Sequence, residues 1–249
     1  MMVRLLLSAG AFFLLPTLAQ AQPSIDVAIN SGSEGPEQVV GTLKVLGVLT
    51  VLSLAPAILI SMTSFTRIVV VLSFVRQAMG AQNVPPMQVI LALSLLLTGV
   101  VMTPVAAAID ETALSPYMAE EIDEEALWER SSGVIRGFLL SQTRDADLRQ
   151  FYEMTGTPLP QASEDVGLSL LVPAFMISEL RTGFEMGFLL FLPFVLIDLI
   201  VAAILTSMGM VMLPPTMVST PMKLMLFVVV DGWALLTESV VASFAGGVT

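Results

Sequence analysis

The sequence predicts an all-α membrane protein. Of its 249 residues, 55% are hydrophobic and only 12% are charged, a composition more apolar than that of a soluble domain. Three segments of about twenty residues, 45–66, 87–109 and 187–208, contain at most one charge each. A helix of that length rises about 30 Å, the thickness of the hydrocarbon layer of a bilayer. Prolines within them, such as Pro56 and Pro104, predict kinks.

The composition also excludes several kinds of chemistry. The chain has no cysteine and no histidine, which excludes disulfides, thiol nucleophiles, histidine-based triads and Cys/His zinc sites. We find no glycine-rich phosphate loop and no nucleophile elbow. Two carboxylates in apolar segments could form an aspartic protease dyad, but the Gly-x-Gly-Asp motif of intramembrane aspartyl proteases is missing. We therefore expect a protein without enzymatic activity, metal or cofactor.

The N-terminus has the layout of a secretory signal peptide. Arg4 is followed by an apolar segment from Leu5 to Leu15 and by the small-x-small site Ala19-Gln20-Ala21, and that segment is too short to span a membrane. We predict cleavage after Ala21, so residues 1–21 form the signal peptide and residues 22–38 a polar lead.

The hydrophobic segments predict two hairpins and an orientation. Residues 39–109 form the first hairpin, in which segment 61–86 is a loop carrying Arg67 and Arg76 without an acid. By the positive-inside rule this loop is cytoplasmic. Residues 167–249 form the second hairpin. In it, residues 168–177 are expected to be a buried or re-entrant piece, and the last segment, from residue 224, is the least apolar.

Residues 110–166 form an acidic lobe on the other side of the membrane. Between Asp110 and Asp165 lie 13 of the 21 acidic residues and four of the ten basic ones, which argues against nucleic acid or anionic lipid as the partner. Residues 131–154 are expected to be helical, with an apolar face that includes Phe138 and Phe151. A lobe of under sixty residues is marginal alone. The face can pack on the lobe's own core, but we favour contacts between copies of the chain through Phe138, Phe151 and the nearby Glu179.

Charges within the apolar segments need partners or a function. The candidates are Glu179, Arg181, Glu185, Asp198, Lys223 and Asp231. Arg181 and Glu185 are four residues apart and can pair on one helix face. Lys223 can pair with an aspartate on a neighbouring segment or in another copy. Structural pairing is the favoured interpretation, and a proton relay through Asp198 and Asp231 stays open.

Residues 207–217, "SMGMVMLPPTM", separate the last two apolar segments. Met208, Met210 and Met212 alternate with Gly209 and Val211, and Pro214-Pro215 follows. Glycine and proline break helices, so we predict an extended loop whose three thioethers point the same way. Methionine adapts to irregular surroundings. Core filling in a helix–helix turn and a deformable seal built from several copies both fit this pattern.

Two long segments carry a family resemblance. "LVPAFMISELRTGFEMGFLLFLPFVLIDLIVAAILTSMGMVMLPP", continued by "PMKLMLFVVVDGW", and "LAPAILISMTSFTRIVVVLSFVRQAMGAQNVPP" closely resemble the FliP/SctR family of type III secretion export-gate subunits. The resemblance implies kinked helical hairpins that assemble into a ring with a small periplasmic lobe, in the flagellar basal body of the bacterial inner membrane. It implies a homo-oligomer, a pentamer, which forms a protein-conducting channel with FliQ and FliR beside FlhB and FlhA. Unfolded flagellar export substrates would pass through that channel.

The resemblance also assigns a role to the methionine loop. In the family this loop forms a gasket around the closed channel, which corresponds here to Met210, Val211 and Met212, with Met208 beside them. The family commonly has three consecutive methionines, whereas this chain has Val211 in the middle. A virulence secretion system is the alternative within the same class. A proton-coupled transporter or channel using Asp198 and Asp231 is the alternative from another class.

Overall fold

The structure is a computed structural model that describes residues 36–80, 84–210 and 212–245. The predicted signal peptide, most of the polar lead and Val211 lie outside these residues. Every regular element of the described residues is helical, which confirms the predicted all-α class. The chain divides into two compact units, one ending at Ser53 and the other beginning at Leu54; the site described below lies in the second.

Nine α-helices follow one another in the described residues. They are α1 (Pro36–Ser61), α2 (Phe65–Ala78), α3 (Met87–Ile109), α4 (Ser115–Met118), α5 (Glu124–Gln142), α6 (Asp145–Thr155), α7 (Leu168–Ser207), α8 (Pro215–Val229) and α9 (Gly232–Ala245). A π-helical turn, Asp110–Leu114, joins α3 to α4, and a 3₁₀ turn, Ser163–Asp165, precedes α7.

Two of the described helices are long and apolar enough to cross a membrane. One is α3 extended through the π turn and α4, Met87–Met118, and the other is α7. The pair α8 and α9 passes the same test together but is bent by 66° between Val229 and Gly232. The expected segment 45–66 ends as a helix at Ser61 and is not among these candidates.

Helix α7 corrects the interpretation of residues 168–177. We expected a separate buried or re-entrant piece, but these residues are the first turns of one 40-residue helix that continues to Ser207. Pro173 lies in the second turn, where its missing N–H removes one hydrogen bond without ending the helix. At 1.5 Å per residue the helix is about 60 Å long, twice the thickness of the hydrocarbon layer. It therefore links the lobe at one end to the methionine loop at the other.

Helix α2 corrects the interpretation of segment 61–86. Most of this segment is not a loop, because Phe65–Ala78 is a helix whose Ile68, Val71 and Leu72 are fully buried. Against it lie Gly183 and Gly187 of α7: a Cβ on Gly187 would come 2.6 Å from the Phe74 ring. The absence of a side chain at these two positions lets α7 approach α2 closely.

The lobe also departs from expectation in one place. Residues 131–154 are not one helix, because α5 ends at Gln142 and α6 begins at Asp145. Thr143 and Arg144 have extended backbones, and the Arg144 N–H donates a hydrogen bond of 3.0 Å to Ser178 Oγ of α7. The predicted apolar face does pack on the lobe core, where Leu139 and Tyr152 contact Leu171 and Phe175 of α7.

Candidate functional site

The methionine loop begins where α7 ends. Gly209 has a left-handed backbone, with φ +77°, which a residue without a Cβ adopts readily. Its N–H donates to the carbonyl of Thr206 at 3.0 Å, and the Met210 N–H donates to that of Leu205 at 2.9 Å. This pair of hydrogen bonds is the Schellman motif, which stops a helix and satisfies its last carbonyl groups.

The loop is a turn rather than the extended segment we predicted. The Leu213 N–H donates to the Met210 carbonyl at 3.3 Å, a hydrogen bond that a turn makes and an extended strand does not, and α8 begins at Pro215 after Pro214. Proline suits this first helical position because its nitrogen has no hydrogen to leave unsatisfied. Alternation of side chains along a strand therefore does not describe Met208, Met210 and Met212.

The methionine side chains nevertheless share one property, since each is exposed. Met212 is 98% exposed, Met208 66% and Met210 40%. Val211 lies outside the described residues. Core filling within the chain therefore does not account for these side chains, because a methionine that fills a gap would be buried.

An ion pair joins the two helices that flank the loop. Lys223 Nζ of α8 lies 2.6 Å from Asp198 Oδ2 of α7, and Ser219 Oγ donates to Asp198 Oδ1 at 2.6 Å. Lys223 is buried, whereas 37% of the Asp198 side chain is exposed. Gly80, just beyond α2, packs beside Lys223, so the C-terminal end of α2 meets the pair as well. The structure thus brings Asp198 and Lys223 together within one chain.

A second polar cluster, the Arg67 cluster, lies near the lobe and was missed by the sequence reasoning. Arg67 is completely buried and donates from Nε to Glu179 Oε2 at 3.1 Å and from Nη2 to Glu179 Oε1. Its other N–H groups donate to Gln142 Oε1 at 3.2 Å and to the backbone and side-chain oxygens of Ser243 at 3.2 and 3.1 Å. The guanidinium also stacks 3.9 Å from the centre of the Phe244 ring. Arginine has five N–H donors, and here every one has an acceptor.

The Arg67 cluster corrects two predictions. Arg67 cannot lie in a cytoplasmic loop across the membrane from the lobe, because it bonds to Gln142 of the lobe helix α5. Glu179 is not an exposed contact between copies, because it is wholly buried against Arg67 of its own chain. The signal that could have located the cluster is the isolated arginine in an otherwise apolar helix, which must find a buried acid.

Arg181 and Glu185 do not pair with each other. Glu185 accepts from Arg144 of the lobe at 2.5 Å, and Arg181 lies 3.1 Å from Asp147. The second contact is an ion pair without hydrogen-bond geometry, since neither Asp147 oxygen has a hydrogen-bond donor among the described residues. The hydrogen bond that Arg144 donates to Glu185, helped by the negative charges of Glu185 and Asp147, raises the pKa of Arg144 above its ordinary value. Both pairs tie α7 to the lobe.

The two proposed lobe contacts are only partly available at the surface. Phe138 packs inside the chain, with its ring 6.1 Å from that of Phe175, and also lines a cleft beside Phe244. Phe151 is half-buried on α6. Asp231, in contrast, is exposed at the bend between α8 and α9, where its backbone is left-handed with φ +52°. The described residues contain no cluster of acids that could hold a metal ion.

Known proteins match nearly the whole chain. The model of the FliP family matches residues 48–240. The flagellar biosynthetic protein FliP of Caulobacter vibrioides is 44% identical over 97% of this chain and 90% of its own length. The proteins of the same name from Bacillus subtilis and Aquifex aeolicus are 47% and 44% identical, over 85% and 96% of this chain and 96% and 97% of their own lengths. The chain belongs to the FliP family.

Proposed function

We propose that this chain is a subunit of the flagellar type III protein export gate. It is embedded in the bacterial inner membrane within the flagellar basal body. Together with FliQ and FliR, copies of it form the channel through which unfolded flagellar substrates leave the cell. Membership of the FliP family, relatives named flagellar biosynthetic proteins and the long apolar helices α3 and α7 support this assignment. The observation that carries the channel role is the exposed methionine loop.

The loop has the properties that a deformable seal requires. Its backbone is fixed at both ends, by the hydrogen bonds around Gly209 and by Pro214-Pro215. Its side chains at Met208, Met210 and Met212 are all exposed. Unbranched methionine side chains repack around objects of different shape. A ring of such loops, with Val211 between the methionines, would close around an empty channel and adapt to a moving polypeptide.

A ring of methionine loops requires several copies of the chain. We propose a homo-oligomer of five copies that touch through their periplasmic lobes, with Phe138 and Phe151 at the contacts, and that stands beside FlhB and FlhA. The proposed organisation is a cleaved signal peptide (1–21), a polar lead (22–38), a first hairpin (39–109), the lobe (110–166) and a second hairpin (167–249). The chain itself performs no catalysis, and nucleic acid is not a partner.

Replacing Met210 and Met212 with alanine tests the seal. The assembled complex should form in normal yield but conduct small ions across a planar bilayer, because two flexible side chains are missing from every copy. Met154→Ala is the matched control, since Met154 is 71% exposed but lies on the lobe helix α6. Conductance equal to that of the Met154 variant would refute the seal.

Replacing Phe151 with alanine tests the lobe contact. If the lobes hold the copies together, the variant should yield fewer full rings in detergent while the isolated chain keeps its helix content. Met225→Ala is the control here, because it removes an exposed apolar side chain from α8, outside the lobe. Full rings in unchanged amount would contradict this contact.

Two alternative functions, a virulence secretion system and a proton-coupled transporter, call for different tests. A virulence secretion system would use the same architecture, and export of flagellar rather than virulence substrates distinguishes the two. A proton-coupled transporter needs an exchangeable carboxylate, whereas Asp198 is bound by Lys223 and Ser219. Proton flux through the chain alone in liposomes, abolished by Asp198→Asn, would favour the transporter over the export gate.

A further inference from the structure

The bend between α8 and α9 leaves one carboxylate without its expected partner. Lys223, which could have neutralised either aspartate, lies against Asp198. Asp231 is exposed, and no described residue forms a hydrogen bond or ion pair with its side chain. Around it, Val228 and Val229 are each 76% exposed, and Trp233 is exposed as well. A carboxylate on such an apolar surface of a membrane segment needs a counter-charge.

A second carboxylate lies on the same face. The Asp231 carbonyl accepts the Leu235 N–H at 3.2 Å, so Asp231 already follows the register of α9. Seven residues make almost two helical turns, which places Glu238 on the side of Asp231 and about 10 Å further along the axis. Glu238 is exposed, and its side chain likewise has no hydrogen bond or ion pair within the described part of the chain. Exposed Leu235 lies between them, whereas Leu236 and Val240 bury the opposite side.

An apolar cleft opens beside this face. It has a volume of about 390 Å³ and is lined almost entirely by apolar side chains of α2, α7, α8 and α9, including Val230, Leu235 and Phe227. Gly232 holds the bend closed on its inner side, because a Cβ there would overlap the Phe227 ring. The bend is therefore a fixed feature of the surface, and the cleft can take large apolar side chains of a neighbour.

A second copy of the chain is a poor source of the counter-charge. Three described cations in or against the apolar helices already have acids: Arg67 binds Glu179, Lys223 binds Asp198 and Arg181 lies against Asp147. Each copy would bring these three already neutralised, and Arg76 of α2 has partners within its own chain as well. We therefore look to a different polypeptide for the positive charge opposite Asp231 and Glu238.

From this charge pattern we propose that the exposed face of α9 docks an apolar helix of another subunit. That helix carries lysine or arginine side chains about two turns apart, opposite Asp231 and Glu238, and large apolar side chains between them that enter the cleft. The proposal rests on the proposed function in so far as it requires the chain to work in a complex of several different polypeptides.

Site-specific photocrosslinking in the full chain tests the docking. p-Benzoylphenylalanine is introduced at Leu235 in cells that make the whole complex, and the crosslinked peptide is sequenced by mass spectrometry. We expect a peptide from an apolar segment of another polypeptide with a lysine or arginine within one turn of the crosslink. A crosslink to a second copy of this chain, or to lipid alone, would overturn the proposal.

Neutralising the carboxylates tests the role of charge. Asp231→Asn keeps a residue that tolerates the left-handed backbone, and together with Glu238→Gln it should lower the yield of that crosslink about tenfold or more. Glu153→Gln, an exposed acid on the lobe helix α6, is the matched control and should leave the yield unchanged. Glu238→Lys should abolish the crosslink, and an acidic residue in place of the partner's cation should restore it.

The two levels of failure are distinguishable. If the complex assembles and the neutralised variant crosslinks as well as the Glu153 control does, the docking face is wrong and the export-gate assignment stands. If the unaltered chain is recovered with no other polypeptide, the export-gate assignment itself fails.

Discussion

Replacing Glu179 with glutamine would leave a buried positive charge uncompensated. The substitution keeps the shape of the side chain and one acceptor oxygen, but it removes the negative charge beside Arg67. The two side chains are 0% and 1% exposed, so water cannot replace the lost interaction. Breaking such a pair from one side destabilises a protein by about 3–5 kcal/mol.

The remaining contacts of Arg67 decide where in that range the loss of stability falls. Gln142, the two oxygens of Ser243 and the Phe244 ring still hold the guanidinium after the substitution. We therefore expect a loss near the lower end, about 3 kcal/mol. Glu185→Gln is the matched control, because Glu185 also pairs with an arginine but is 55% exposed. Such a surface pair contributes about 1 kcal/mol or less.

Unfolding in mixed detergent micelles measures both variants. The purified chain is titrated with sodium dodecyl sulfate, and the fluorescence of its two tryptophans and its far-ultraviolet circular dichroism report the transition. A double variant with methionine in place of both Arg67 and Glu179 should be more stable than Glu179→Gln, since neither charge remains buried. A Glu179→Gln variant as stable as Glu185→Gln would refute the structural role of the Arg67 cluster.

Three further substitutions have expected outcomes in the same unfolding assay. Gly187→Val should separate α7 from α2, because the Phe74 ring occupies the space of the new side chain, and should lower the free energy of unfolding by about 1–3 kcal/mol. Gly99→Val is the control: it meets no neighbour within 4 Å and should leave the stability unchanged. Lys223→Met should destabilise the chain by about 1–3 kcal/mol, because half-buried Asp198 loses its counter-charge and keeps only the hydrogen bond from Ser219. The double variant Lys223→Met with Asp198→Asn should recover most of that stability. Gly209→Ala should lose about 1 kcal/mol through backbone strain alone, because an added Cβ meets nothing within 4 Å; a larger loss would show that the loop is packed more tightly than described.

Hydropathy and helix breakers predicted much of this architecture. Segment 87–109 coincides with α3, and segment 187–208 ends within one residue of the end of α7, although α7 begins much earlier, at Leu168. Gly209 and Pro214 mark the break between α7 and α8, because one adopts a left-handed backbone and the other cannot continue a helix. These features depend on residues close together in the chain, which is why a local pattern is sufficient.

The rest depends on contacts between distant segments. Nothing around Arg67 indicates that a glutamate 112 residues away will neutralise it, so counting loop charges treated it as exposed. Arg181 and Glu185 can pair on an isolated helix, but the lobe offers Asp147 and Arg144 as closer partners. The break in the lobe helix lies where the Arg144 N–H bonds to Ser178 of α7, and the sequence of residues 131–154 does not predict it. Long-range pairing of charges was the information that periodicity could not supply.

The native mass of the purified complex tests the central claim most directly. The chain is expressed together with FliQ and FliR, purified through a tag on this chain alone, and weighed by native mass spectrometry in detergent. The export-gate account predicts a single assembly that contains several copies of this chain and retains both partners. A monomer of this chain, recovered without FliQ and FliR, would contradict it.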